Sequence, residues 1–236
     1  MKTNPKSGLN KSLEKIKQDR ERTNLLKKYE QQFIAYLVQR IPGFISSDML
    51  TTIGFFGSII IFLGFILATY VSRDLLLLTV PGFAIHWFGD SLDGRIAYYR
   101  NKPRKWYGFV LDITTDWLGV LLLGWGYIIY APQGWEMFGY IFAVLYGWEI
   151  ISALLRYKVT GKYSIDSGLL GPTEVRIVLS MIFTLEVIIP GSIFYSAIIA
   201  CTVLFINNIV DFVKLLKLGD ARDKEERAQK QANSQS

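Results

Sequence analysis

Apolar residues gather along this chain into six long blocks divided by short polar breaks. Met49 to Val71 is the first, and its length meets the roughly 20 residues that an α-helix needs to cross a bilayer. Ser72-Arg73-Asp74 interrupts it, and a second block runs from Leu75 to Phe88 and continues as a helix into Asp90 and Asp93. The third extends from about Trp106 to Tyr130, the fourth from about Met137 to Leu155, the fifth from about Glu174 to Ile189 and the sixth from about Ile193 to Phe212. Pro190-Gly191 separates the last two. Ahead of them, Leu26, Tyr29, Phe33 and Leu37 recur at helical spacing between Asn24 and Arg40, with Lys27, Lys28 and Gln31 turned away. That pattern predicts an amphipathic helix at the membrane surface, ended by Pro42-Gly43. Packing against another part of the protein is its alternative. The predicted fold is an all-α integral membrane protein: a basic, flexible arm over 1–23, a surface helix over 24–42, six transmembrane helices over 49–212 and a charged tail over 213–236.

Charge orients these blocks. The chain is 51% hydrophobic yet carries a formal net charge of +6. With six crossings, the arm and surface helix, the 95–105 loop, the 156–176 region and the tail share one side and hold 25 of the 26 Lys and Arg residues, leaving Arg73 on the other. Lys and Arg concentrate on the cytoplasmic side of membrane proteins. Both termini are therefore expected in the cytoplasm, in the cytoplasmic membrane if the cell is bacterial. The polar first forty residues predict no cleavable signal peptide. Cys201, the one cysteine, lies in an apolar block, which excludes a disulfide framework.

Four aspartates break the apolar pattern. Asp90 and Asp93 are three apart, Asp112 and Asp116 four apart, and on a helix each spacing puts both carboxylates on one face. Ionisable residues at membrane depth are costly and mark function by default. Two such faces meeting would repel without a counter-charge, and hard oxygen donors suit Mg²⁺, Mn²⁺ or Ca²⁺. Ion pairing with Arg95, Arg100 or Arg104 is the plainer reading, and it leaves the paired spacing on consecutive blocks unexplained. Gly94 and Gly108 flank the pairs and leave room for a bulky ligand. Arg156, Lys158, Lys162 and Arg176 around the loop after the fourth block are candidates for an acidic acceptor such as a phosphorylated polyol, or for anionic lipid. His86, one turn before Asp90, is expected in packing or beside the site. Asn207, Asn208 and Asp211 are expected as interhelical polar contacts, and Trp87, Trp106, Trp117 and Trp135 as interfacial belts.

The run Asp90-x2-Asp93-Gly94-x2-Ala97, nine residues after Tyr98, then Gly108-x3-Asp112-x3-Asp116, resembles the signature of the CDP-alcohol phosphotransferase family. Leu50-Thr51 before the first block and Gly171-Pro172-Thr173-Glu174 before the fifth are similar to family members, and the resemblance covers roughly residues 30 to 212. Tyr98 departs from it, standing where the family usually has Arg. The resemblance implies a membrane enzyme, commonly a homodimer, that displaces CMP from a CDP-linked donor with an acceptor hydroxyl and uses Mg²⁺ or Mn²⁺, two ions. By motif position Asp90, Asp93, Asp112 and Asp116 would hold metal, with Asp116 also the general base. Asp90, Asp93, Gly94, Ala97 and Gly108 would line the nucleotide site, and Tyr98 with Arg100 or Arg95 would take the contact of the missing Arg. CDP-diacylglycerol is the favoured donor, with inositol phosphate, glycerol phosphate or serine as acceptor candidates. CDP-choline or CDP-ethanolamine with a lipid alcohol is the alternative, and outside this class a cation transporter or a scaffold that keeps only the fold. No nucleic-acid partner is expected.

Overall fold

The computed structural model describes residues 27–161 and 171–233, and those residues are helical with short connections and no strand. The order is α1 (Lys27–Val38), α2 (Ser47–Tyr70), a 3₁₀ segment (Arg73–Leu78), α3 (Thr79–Tyr99), α4 (Lys105–Tyr130), α5 (Met137–Thr160), α6 (Pro172–Ile188) and α7 (Ser192–Asn233). The arm and Lys162 lie outside the described residues.

Five of these helical stretches are long and apolar enough to cross a membrane: α2, the 3₁₀ segment with α3, α4, α5 and α7. Their outward faces carry exposed apolar side chains such as Phe56, Val80, Trp125, Ile151 and Ile199. In water each would be a liability, and in hydrocarbon each is solvated. The chain is an integral membrane protein by these features. α6, with 17 residues, matches the fifth block in place but falls short of the roughly 20 residues a crossing needs, and it is not among the five.

Helix ends follow local chemistry. The Ser46 side chain accepts from the Met49 N–H at 3.1 Å and caps α2. Pro81 occupies the first turn of α3, where its missing N–H costs nothing, and the approach to it is 3₁₀ rather than the continuous helix expected from Leu75. α5 runs past the expected Leu155 to Thr160 and stops at Gly161, whose φ of 71° a side chain would resist. The turn between α6 and α7 falls at Gly191, with φ 89°, as the Pro-Gly pair predicts. The sixth block and the charged tail form one unbroken 42-residue helix. Arg222 on it donates to the carbonyls of Lys158 and Val159 at 2.7 and 2.9 Å, closing the end of α5.

The crossing of α2 and α3 positions everything that follows. Backbone meets backbone there: a Cβ on Gly89 would fall 2.3 Å from the Gly54 nitrogen, and one on Gly57 would fall 2.4 Å from the His86 nitrogen. Small residues allow such contact in membranes, where packing rather than apolar burial holds helices together. Gly89 directly precedes Asp90, so the crossing fixes where the first acidic pair points.

α1 packs on the protein through a second face, beside the aromatic stripe picked out by its periodicity. Glu30, Gln31, Ile34, Ala35 and Val38 are buried, and the last three pack with Leu50, Leu92 and Ile96. Tyr29, Phe33 and Tyr36 face outward, 73%, 51% and 45% exposed. The helix carries two apolar stripes, and the aliphatic one wins the protein because its compact side chains fit between α2 and α3. Trp87 belongs to this joint rather than to an interfacial belt: it stacks on Phe33 at 5.8 Å and its indole N–H reaches Glu30 Oε1 at 3.3 Å. Trp117 packs over Gly147, where a Cβ would meet its ring at 2.7 Å. Asn208 donates to the Leu145 carbonyl at 2.9 Å and Asp211 pairs with Arg156, so these two join helices as expected, while Asn207 is exposed.

Candidate metal centre

α3 and α4 bring three of the four aspartates to one point. One carboxylate oxygen each from Asp90, Asp112 and Asp116 lies within 4.8 Å of the others. Asp112 is buried, and Asp90 and Asp116 are partly so. Around Mg²⁺, oxygens on opposite sides lie about 4.2 Å apart, since each metal–oxygen distance is about 2.1 Å. Three hard oxygen donors from two rigid helices at that spacing fit a divalent ion. The donor chemistry excludes soft metals more firmly than it chooses between Mg²⁺ and Mn²⁺.

Asp93 is placed one turn along, outside that mutual set. Its Oδ2 accepts from the Thr51 hydroxyl at 2.7 Å, and its Oδ1 from the Gly94 N–H. Ser47 holds the same turn by donating to the Asp93 carbonyl at 2.9 Å. The first turn of α2 thereby fixes this carboxylate, which is 7% exposed.

Cations approach the cluster from elsewhere than its flanking arginines. Arg176 on α6 donates to Asp90 Oδ2 at 2.5 Å, and both side chains are largely buried. His86 Nε2 stands 3.7 Å from Asp116 Oδ1, too long for a hydrogen bond but close enough to sense its charge. Arg100 is spread over the carbonyls of Ile41, Pro42 and Ile45 at 3.2, 2.8 and 2.5 Å, pinning the link between α1 and α2. Arg95 donates to the Ser91 carbonyl. Arg104 pairs with Asp48, and that hydrogen bond holds the guanidinium above its ordinary pKa. Among the other expected acceptor contacts, Arg156 is engaged by Asp211 at 2.6 Å and Lys158 is exposed at the end of α5. Of that expected group, Arg176 reaches the aspartates.

A cavity of about 100 Å³ opens beside the cluster between α2, α3, α4, α5 and α6. Asp90, Asp116, His86, Arg176, Tyr146 and Glu149 line its polar part. Ile61, Phe83, Leu123 and Phe142 line the rest. A second, apolar cavity of about 50 Å³ shares Leu123, Phe142 and Leu179 with it. One turn before Asp112 on α4, a Cβ on Gly108 would meet nothing within 4 Å, so space is open there. Ala97 and Tyr98 are partly buried in the last turns of α3.

Sequence spacing alone did not reveal Thr51, Glu30 or the direct hold of Arg176 on Asp90. Their partners lie 42, 143 and 86 residues away, and only the packing of helices brings them together.

No family model matches this chain, and no curated protein matches it.

Proposed function

We propose that this protein is a membrane phosphotransferase of phospholipid synthesis. It moves a phosphatidyl group from CDP-diacylglycerol to the hydroxyl of a small polar alcohol and releases CMP. The observation that carries this reading is the meeting of Asp90 with Asp112 and Asp116 beside a cavity lined by polar side chains near the cluster and by apolar ones elsewhere. A polar head with an apolar extension matches a nucleotide-linked lipid better than it matches an ion path, which needs polar groups throughout.

Asp90, Asp112 and Asp116 would hold Mg²⁺ or Mn²⁺, with Asp93 as the further carboxylate for a second ion. Bound there, the metal would neutralise the donor pyrophosphate and the leaving CMP phosphate. The residues of the chain supply the rest. Asp116 takes the proton of the acceptor hydroxyl as its oxygen bonds to phosphorus and the bond from that phosphorus to the CMP oxygen breaks. Gly94, Ala97 and Gly108 leave space for cytidine and ribose, with Tyr98 at their edge. Arg176 offers a cation to a phosphorylated acceptor.

α6 is the sixth crossing in this reading. Its first turns meet Asp90, near the start of α4 in depth, and its Glu186 accepts from Tyr130 at the far end of α4 at 2.8 Å. It thus runs beside α4 from the level of Asp112 and Asp116 to its far end, over a length of about 25 Å at 1.5 Å per residue. α1 lies at the cytoplasmic interface, with Tyr29, Phe33 and Tyr36 toward lipid head groups and Arg40 over the Tyr36 ring at 4.2 Å.

The reading is tested by incubating purified protein with Mg²⁺ and either CDP-diacylglycerol with a panel of alcohols, or CDP-choline and CDP-ethanolamine with diacylglycerol. CMP and a new phospholipid from CDP-diacylglycerol with one acceptor are expected. Product from CDP-choline or CDP-ethanolamine instead would reverse the assignment of lipid and head group. Silence in every arm would remove the enzyme reading.

A further inference from the structure

Three carboxylates within 4.8 Å repel one another strongly, the more so where protein and lipid exclude water. The structure answers with Arg176, whose guanidinium sits on Asp90 at 2.5 Å. This arginine is anchored, not loosely placed. It lies on the second turn of α6, whose start is held by two bonds and whose partner Glu30 is itself held by a third. Thr173 donates to Glu30 Oε1 at 2.8 Å, the Gly171 N–H donates to Glu174 Oε2 at 3.1 Å, and Glu30 also receives Trp87. Arg176 also lines the cavity that Asp116 lines, so its head group is within reach of a ligand lying there.

A divalent ion bound by Asp90 and a guanidinium bound by Asp90 draw on the same oxygens and repel each other. An arginine side chain has rotatable bonds enough to swing its head to the cavity while its helix stays fixed. We propose that Arg176 is a resident counter-cation of the carboxylate cluster. It holds Asp90 in the metal-free protein, yields Asp90 to an incoming divalent ion, and then stands at the cavity wall to meet a phosphate group of the ligand. The inference rests on the metal reading proposed above and adds an order: metal first, then the anion, with each tightening the other through Arg176.

Mn²⁺ binding measured by electron paramagnetic resonance on the full-length protein in detergent tests this without any turnover. Wild type, Arg176→Gln and Arg176→Lys are titrated with Mn²⁺, alone and with CMP. Arg176→Gln should bind Mn²⁺ more tightly than wild type by about tenfold, since a competing charge is gone. Arg176→Lys, which keeps the charge, should stay near wild type. CMP should tighten Mn²⁺ binding to wild type by about fivefold or more and do so less in Arg176→Gln, because the freed arginine is missing. If Arg176→Gln does not stay folded, Arg176→Met, apolar and similar in length, takes its place. Equal or weaker Mn²⁺ binding in the uncharged variant would overturn the counter-cation role while leaving the metal centre standing. Binding to none of the proteins would overturn the metal reading itself, and this inference with it.

Discussion

At the residue scale, two carboxylates within the helical bundle show how location decides role. Asp116 shares a small volume with Asp90 and Asp112 and lines a cavity. Glu186, 2% exposed, accepts from the Tyr130 hydroxyl, the Ser192 hydroxyl and the Gly191 and Ile193 N–H groups. The proposed function gives Asp116 a chemical role, and Glu186 is a structural knot at the start of α7. Asp116→Asn should therefore lower CMP release by about 10²-fold or more, the range for removing a general base, while leaving the melting temperature close to wild type. Glu186→Ala should do the reverse. It strands buried donors at about 1–3 kcal/mol each, and a thermal shift assay in detergent should show a clear fall in melting temperature. A stability loss in Asp116→Asn as large as that in Glu186→Ala would argue that the aspartates are structural.

At the element scale, the α2–α3 crossing leaves no space and the start of α4 leaves ample space. Gly89→Leu would drive a side chain into the backbone of α2, where a Cβ already falls 2.3 Å from the Gly54 nitrogen. Size-exclusion chromatography should show loss of monodisperse protein, since overpacking beyond the usual cost of about 1–3 kcal/mol is forced here. Gly108→Leu meets nothing within 4 Å and should fold normally, yet should raise the KM for the CDP-linked donor if that space takes the nucleotide. The elements themselves were largely legible in the sequence, because long apolar blocks with Pro, Gly and Ser at their ends leave few alternatives. Periodicity picked out the outward aromatic stripe of α1 but not the aliphatic stripe it buries: both recur at helical spacing, and only packing against Leu50, Leu92 and Ile96 selects Ile34, Ala35 and Val38. The paired aspartates were legible too, but the spacing did not reveal that Thr51 turns Asp93 aside or that Arg176 takes Asp90. Those contacts join segments far apart in the chain, and local sequence carries no trace of them.

At the scale of the whole molecule, the account depends on how many times the chain crosses the membrane. Six crossings return the tail to the side of the arm, and five would leave it opposite. With Cys201 replaced by Ser, Arg73→Cys should react with an impermeant maleimide in intact cells, and Lys230→Cys only after permeabilisation. Labelling of both in intact cells would mean that α6 does not cross. Six crossings put the carboxylate cluster and the basic loops on one face, where water-soluble nucleotides and alcohols arrive, and put the apolar cavity lining in the bilayer, where lipid chains lie.

The central claim is that Asp90, Asp112 and Asp116 form a metal centre. Anomalous diffraction at the manganese edge, from crystals grown with Mn²⁺ and CMP, tests it most directly. The account predicts a strong peak between the three carboxylates, with the phosphate of CMP beside it. Well-ordered carboxylates with no anomalous peak among them, or a peak only elsewhere in the protein, would contradict it.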